Sequence, residues 1–510
     1  MVIRGRGRLK KAGILFLSAV FFFLTGISGM QLYALPQEQE DFPSIEPLFI
    51  PQELFIPTGM PTVFSADEVV QFSLLYSELM PDSAAWNKTI KKFDELREKI
   101  TDPEIMSLAE EDRGRAILKL LYRDVLKQYV SGQTRFDVAF ETGKYNCVSS
   151  ALVYMAAAKV AGLDVRGQKT PSHAFCSVYI SGKKIDVETT NPYGFNPGNK
   201  EAVEKENEIK GYYVVPKNYY SNRREESDAL FTGLIAGNLC SDYVEKDDYK
   251  KAVPLGAARF MAIMNEKSKS ANDVRKEFDI LAANYVNIIP ENASDFFKKL
   301  GWYFSFIDRW DMTVFLQNNA DNTVNNLLVL CYEQNNYELA QTGWQKYKSY
   351  VSVRRIADME EMLVDILVKA STNGLTPEQQ LAFIKDELNE NEGLSKRDLS
   401  SEAARKRLLL HYENSWLIIL NGMMNKKQFL EGYTSAGKAL SELPNSNKIK
   451  TMQKSFYNNC IADIHNNFAS KANARKYDEA RQILQEGLEI FPADRTLNND
   501  LSRLKKIAGE

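Results

Sequence analysis

The chain has 510 residues, of which 44% are hydrophobic, 26% charged and 11% aromatic, and its formal net charge is −3. That is the make-up of a globular protein with room for about two to four domains, and it excludes a largely disordered or fibrous chain. No concentrated basic face follows the N-terminus, which argues against a dedicated nucleic-acid binder, and the five scattered cysteines (Cys147, Cys176, Cys240, Cys331, Cys460) form no CxxC pair, which argues against a structural zinc site.

In chain order, residues 1–34 read as an export signal. Arg4, Arg6, Arg8, Lys10 and Lys11 precede the apolar run AGILFLSAVFFFLTGISG, and Leu32-Tyr33-Ala34 supplies a cleavage site. An uncleaved membrane anchor is the alternative, because the run is long for a signal peptide. Cleavage removes five cations and no acidic residue, which moves the charge from −3 to −8. The expected location is exported: periplasmic, cell-envelope or extracellular. Residues 35–64 hold six prolines (Pro36, Pro43, Pro47, Pro51, Pro57, Pro61) and read as an extended linker, or as a segment lying along the next domain.

From about 65 to 130 apolar residues recur at three- and four-residue steps, which predicts helices over ADEVVQFSLLYSEL, WNKTIKKFDELREKI and RGRAILKLLYRDVLKQYV. Another helix follows Cys147. HAFCSVYI and KKIDVETT then read as strands joined by a tight hairpin at Ser181-Gly182-Lys183. Residues 65–225 are therefore expected to form one α+β domain with its helices first.

Within that domain Asn146 is a natural cap residue, and Cys147 falls at the first turn of the helix it opens. There the positive end of the backbone dipole favours a nucleophilic thiolate. A thiolate needs a base that can hold and return a proton, and His173, one of three histidines in the chain, follows 26 residues later. The base in turn needs an acceptor that fixes its tautomer. A two-residue loop in the hairpin places Asp186 and Glu188 on the face that His173 shares, with Glu188 the nearer of the two. Cys176 alternates away from His173 and reads as core.

ETGKYNC, the small-residue helix ending in AGLDV, then SHAF and GKKIDVETTN, taken in that order over about residues 110–198, resemble the transglutaminase-like superfamily. The resemblance implies a papain-like core with a Cys-His-Asp triad. It puts Cys147 on the nucleophile, His173 on the base and Glu188 where that family carries Asp. Tyr145 stands where Gly is usual, and no Trp follows Gly182. The backbone N–H of Cys147 is the implied oxyanion donor, with Tyr145 and Gln168 considered for the second.

After about 226 the chain reads as helical to its end. KQFLEGYTSAGKALSELPNS (427–446) and KYDEARQILQEGLEIFPADR carry the same pattern 48 residues apart, with Leu440 over Leu488 and Pro444 over Pro492. Tyr249, Tyr337, Phe429 and Tyr477 take one place in this pattern, with Phe296 and Phe383 filling gaps at a period of about 41–48 residues. An aromatic followed three residues later by Ala or Gly, then a Leu-rich helix, resembles tetratricopeptide repeats, which implies a superhelical (TPR-like) all-α region over 226–510.

Of the remaining motifs, PYGFNPGNK (192–200) reads as a turn-rich loop that rims the cleft or simply crosses over. GYYVVPKNYY (211–220) reads as a strand packing its rings into the core, and His411 and His465 read as structural. The function expected is an exported thiol acyl-transfer enzyme that hydrolyses peptide or amide bonds or crosslinks them. Its substrate would be a protein or peptide, the helical region would take a protein partner, no cofactor or metal is indicated, and membrane contact runs only through an uncleaved N-terminus. The alternative is a non-catalytic envelope binding protein. The departures at Tyr145, Gly182 and Glu188 favour it.

Overall fold

The computed structural model describes residues 42–47, 63–197, 220, 222–389, 393–399 and 401–509. The export segment of 1–34 and most of the proline-rich stretch therefore lie outside the described residues, as does GYYVVPKNYY apart from Tyr220. The chain divides into two units, Met1–Phe42 and Pro43–Glu510. The protein is mostly helical, with a few small sheets. Among the described residues no helix is long and apolar enough to cross a membrane.

The first elements are α1 (Ala66–Tyr76), α2 (Ala84–Ile100), α3 (Pro103–Met106) and α4 (Glu110–Asp124). Ser65 caps α1 in a reciprocal capping box with Glu68, and Ser83 caps α2. A two-residue strand β1 (Gln128–Tyr129) then leads through α5 (Phe136–Thr142) to its parallel partner β2 (Lys144–Tyr145). The next helix, α6 (Cys147–Val160), is apolar on every side, and Val148 through Ala158 are all buried. A helix with no polar face has to be surrounded, and α6 is the axis on which this part of the protein is built. It packs against α1, α2, α4 and α5, and against a sheet.

That sheet is antiparallel and consists of β3 (Asp164–Lys169), β4 (Ala174–Ile180), β5 (Lys183–Val187) and β6 (Arg224–Glu226), in the order β5-β4-β3-β6. The β4–β5 hairpin turns on Ser181 and Gly182, with φ of 49° and 78°. Two successive left-handed residues are what a type I′ turn requires, and they set the register that pairs Ile180 with Lys183 and Cys176 with Val187. Strand β6 straddles the domain boundary expected at 225/226, so the sheet is completed by chain that the sequence reading divided between two domains.

Directly after β6 come α7 (Asp228–Thr232) and α8 (Leu234–Glu245), both packed on α1. Lys159, at the end of α6, donates to Asp228 Oδ2 at 2.9 Å and to the Phe64 carbonyl at 2.6 Å, while Phe64 N donates to the same Asp228 oxygen at 2.7 Å. This pair, half-buried at Lys159 and buried at Asp228, holds α6, α7 and the entry to α1 together.

The chain continues through α9 (Tyr249–Ala262), α10 (Lys269–Val286), α11 (Ala293–Trp310), α12 (Thr313–Glu333), α13 (Tyr337–Tyr347), α14 (Val353–Ser371), α15 (Pro377–Glu387), α16 (Glu402–Asn425), α17 (Phe429–Glu442), α18 (Asn447–Asn473), α19 (Tyr477–Ile490) and α20 (Arg495–Ala508). Tyr249, Tyr337, Phe429 and Tyr477 each open a helix. Phe296 and Phe383 do not; they lie inside α11 and α15, and the regular period they were to complete is corrected accordingly. The sequence repeat at 427–446 does appear in the structure. α17 and α19 have the same length, the helices after them are capped by the equivalent Ser446 and Asp494, and each cap accepts from the amide three residues on.

The small residue three places after each opening aromatic is a close-contact point. Ala252, Ala340 and Ala480 are fully buried. At Gly432 a Cβ would stand 2.2 Å from Phe456 Cε1. Gly432→Ala is expected to destabilise the protein by about 1–2 kcal/mol through overpacking of α17 on α18, read as a lower denaturant midpoint; an unchanged midpoint would show that Phe456 can yield.

Candidate active site

The first turn of α6 is tied down on all sides. Asn146 Oδ1 accepts from Val148 N at 2.9 Å and Ser149 N at 3.0 Å, and Asn146 N donates back to Ser149 Oγ at 3.0 Å. Asn146 Nδ2 reaches the Ser131 carbonyl, and Ser149 Oγ reaches that of Gln133. These bonds fix the position of Cys147, whose N–H is the first-turn amide outside this capping set. Cys147 is half-buried, whereas Cys176, Cys331 and Cys460 are buried and Cys240 is half-buried. Burial pushes the thiols of Cys331 and Cys460 up to about 11 and that of Cys240 up to about 12, and raises Cys176 as well.

His173 stands immediately before β4 and is 6% exposed. Its Nε2 hydrogen-bonds Glu188 Oε2 at 2.8 Å, and its ring also hydrogen-bonds Cys147. With Nε2 engaged by the carboxylate, Nδ1 is the nitrogen left for the sulfur. Burial opposes a charge on the imidazole, but the bonds to Cys147 and then Glu188 outweigh it and raise His173 to about 10. The ring therefore holds its proton through neutral pH.

Glu188 follows β5 and is 4% exposed. Its Oε1 accepts from Thr190 N at 3.0 Å and Thr190 Oγ1 at 2.6 Å; its Oε2 accepts from His173 and, at 2.7 Å, from Tyr220 Oη. Burial alone would raise this carboxyl, yet the bond from His173, followed by those from Thr190 and Tyr220, holds it below its ordinary value. Asp186 shares this face but turns elsewhere, accepting from Ser177 Oγ at 2.8 Å and pairing with Arg223. Of the two acids considered from the sequence, the structure brings Glu188 to His173 and leaves Asp186 away from it.

The segment around Glu188 is bound to the helix that carries the cysteine. Thr189 Oγ1 lies 3.0 Å from Ser150 Oγ on α6, and Tyr122 Oη donates to the Thr189 carbonyl at 2.9 Å. Residues 192–196 then fold back beside β5. Glu188 N donates to the Gly194 carbonyl at 2.8 Å, and Phe195 bridges Val187. A Cβ on Gly194 would lie 2.0 Å from the Glu188 carbonyl oxygen, so only glycine permits this return. The turn-rich loop thus braces the carboxylate strand.

Two residues at this site were not singled out as site residues from the sequence. The Thr190 contact is local, and a hydroxyl two residues beyond an acid is a visible signal. Tyr220 is 32 residues from Glu188, and no pattern in the sequence links them. Its ring meets Phe175 edge-on at 4.9 Å, over the face where His173 and Glu188 meet. Burial and the Glu188 charge both raise its phenol, which keeps it a donor. Neither side chain considered for the second oxyanion donor is available. Tyr145 Oη donates to Tyr122 Oη, and Gln168 is engaged by Glu225 and Lys184.

No protein-family model matches the chain. Among solved structures it is similar to menin, in a crystal structure described as revealing the binding site for Mixed Lineage Leukemia (MLL) protein. The TM-score is 0.30 at 13% identity, covering 76% of this chain and 90% of that one. A likeness of that size carries no argument about fold or function. The expected membership in the transglutaminase-like superfamily is therefore corrected, and the papain-like core and the tetratricopeptide assignment with it: the findings support a mostly helical protein with small sheets and no more. The physical reason lies in the motifs. A capped cysteine helix, a His-aromatic strand and a tight hairpin are short local solutions, and they do not by themselves specify a family.

Proposed function

We propose that the protein is an exported thiol-dependent acyl-transfer enzyme whose first reaction is hydrolysis of a peptide or amide bond. The observation that supports this is the bonding of His173, which touches Cys147 with one side of its ring and a buried, fully hydrogen-bonded carboxylate with the other. In this reading Cys147 and His173 share one proton, which lies on His173, and the sulfur attacks the substrate carbonyl carbon. The developing oxyanion meets the Cys147 N–H and the N-terminal dipole of α6. The C–N bond breaks as His173 returns the proton to the leaving amine, which leaves a thioester on the sulfur. Once the sulfur is acylated, His173 loses the partner that helped hold its proton. It can then take a proton from water, which attacks and releases the acid. An amine in place of water would give crosslinking through the same thioester. Export rests on the basic, then apolar, N-terminal segment.

Iodoacetamide at pH 6–7 is expected to label Cys147 ahead of the other four cysteines, located by mass spectrometry, and His173→Ala is expected to slow that labelling at least tenfold. A Cys147 that labels no faster than Cys460, or at the same rate without His173, would remove the basis for an enzyme. Release of acid in water against incorporation of a labelled primary amine separates hydrolysis from crosslinking.

A further inference from the structure

The five residues Pro43–Pro47 are held against α11 by a side-chain set that reads peptide backbone. Trp302 Nε1 donates to the Pro43 carbonyl at 2.7 Å, and Trp310 Nε1 donates to the Ile45 carbonyl at 3.0 Å. Arg309 places its Nε and an Nη on the two carboxylate oxygens of Glu46, both at 3.1 Å. Trp302 and Trp310 are separated by eight residues of helix, a rise of about 12 Å. The stretch from Pro43 to Glu46 covers about 10 Å when extended. The segment therefore runs along the helix, in the same direction, as an extended strap.

The receiving face is prebuilt. Tyr285 meets Trp302 edge-on at 4.7 Å, Phe306 packs on it at 5.6 Å, and the Arg309 guanidinium lies over the Trp310 ring at 5.0 Å. Each indole N–H is spent on a ligand carbonyl, and the two carbonyls come from alternate residues, which point to one side of an extended chain. An aromatic wall that donates to the backbone of a proline-containing segment is a recurrent mode of peptide recognition. The hold on the strap is also light. Pro43 alone among the five is buried, Ser44 and Glu46 are exposed, and the Arg309–Glu46 pair is about half exposed on both sides, where an ion pair is worth little.

We propose that the Trp302–Arg309–Trp310 face of α11 is a peptide-binding site for an extended segment of the form Pro-x-aliphatic-Glu, that the chain's own strap is its resident ligand, and that a partner protein carrying such a segment displaces it. The indoles read the backbone without regard to sequence. Specificity comes from the buried proline ring and from the Arg309 fork, which demands a carboxylate three residues later. Because the strap is tethered, a competitor works against a local concentration in the millimolar range, so the site is silent until the strap is weakened or the partner is abundant.

The test uses the full chain and a fluorescein-labelled peptide of residues 41–48, followed by anisotropy. Glu46→Gln in the chain takes from its own strap the carboxylate that Arg309 holds, and Pro43→Gly added to it removes the buried anchor. The peptide is expected to bind these strap-weakened chains saturably and at least tenfold more tightly than the unaltered chain. Adding Arg309→Glu, at an exposed position that the fold tolerates, should abolish binding, and a peptide carrying Lys in place of its Glu should restore it. Absence of saturable binding to both weakened chains up to about 1 mM peptide, or binding indifferent to Arg309→Glu, overturns the proposal.

Discussion

Glu188→Gln is expected to lower turnover of an activated ester such as p-nitrophenyl acetate at Cys147 by about 10²–10⁴, the range over which general acid–base catalysis and the acid that orients its imidazole act. The carboxylate accepts four bonds, from His173 Nε2, Tyr220 Oη, Thr190 N and Thr190 Oγ1, and donates none. Glutamine must turn an NH₂ toward one of those donor pairs, so at least one buried donor loses its acceptor. The charge goes as well. His173 then keeps the burial that pulls it down and loses the Glu188 part of what raises it, so it gives up its proton below the wild-type value of about 10. The pH profile of turnover should shift in that direction along with the fall in rate. Asp186→Asn should stay within about threefold of wild type, because its carboxylate serves Ser177 and Arg223 instead. Equal losses for the two variants would mean that Glu188 acts through folding alone. A stronger loss at Asp186 would reverse the assignment.

Asp279→Asn is expected to stabilise the protein, and only above acidic pH. Asp279 sits on α10 at 3% exposure, and neither carboxylate oxygen has a hydrogen-bond partner. Burial pushes it up to about 7 from its ordinary 3.8, with Arg275 pulling weakly the other way. A carboxyl raised in the folded state costs nothing below about pH 4, where both folded and unfolded chains are protonated. The cost grows as the unfolded chain ionises, and it levels off above about pH 7. Three pKa units would amount to about 4 kcal/mol, so a gain of about 2–4 kcal/mol at pH 8 is the expected result. Urea titrations of both chains at pH 4, 6 and 8 should give midpoints that coincide at pH 4 and separate by pH 8. Curves that stay together at pH 8 would show that Asp279 finds a counter-charge or water on ionising.

Much of the site's local geometry is legible in the sequence because it depends on near neighbours. Asn146 before a small-residue run marks a helix start, and α6 does begin at Cys147. Ser181-Gly182 can supply two left-handed residues, and a two-residue loop then dictates which later residues share the face of His173. The offset between Phe429 and Tyr477 recurs in helix length and caps because the same pattern meets the same packing twice.

The choice between Glu188 and Asp186 was narrowed by that periodicity but made by contacts. Ser177 and Arg223 claim one acid, while Thr190 and Tyr220 claim the other. The sequence alone determined the start of α6 and the parity of the strands, both of which follow from backbone sterics over a few residues. Only the tertiary structure decided that Tyr220 closes over Glu188, that β6 joins the sheet across the expected boundary, that Pro43–Pro47 lies along α11 and that Asp279 is buried without a hydrogen-bond partner. Each of these joins segments through burial, and burial depends on everything the chain packs around a residue, which no window of neighbouring residues contains.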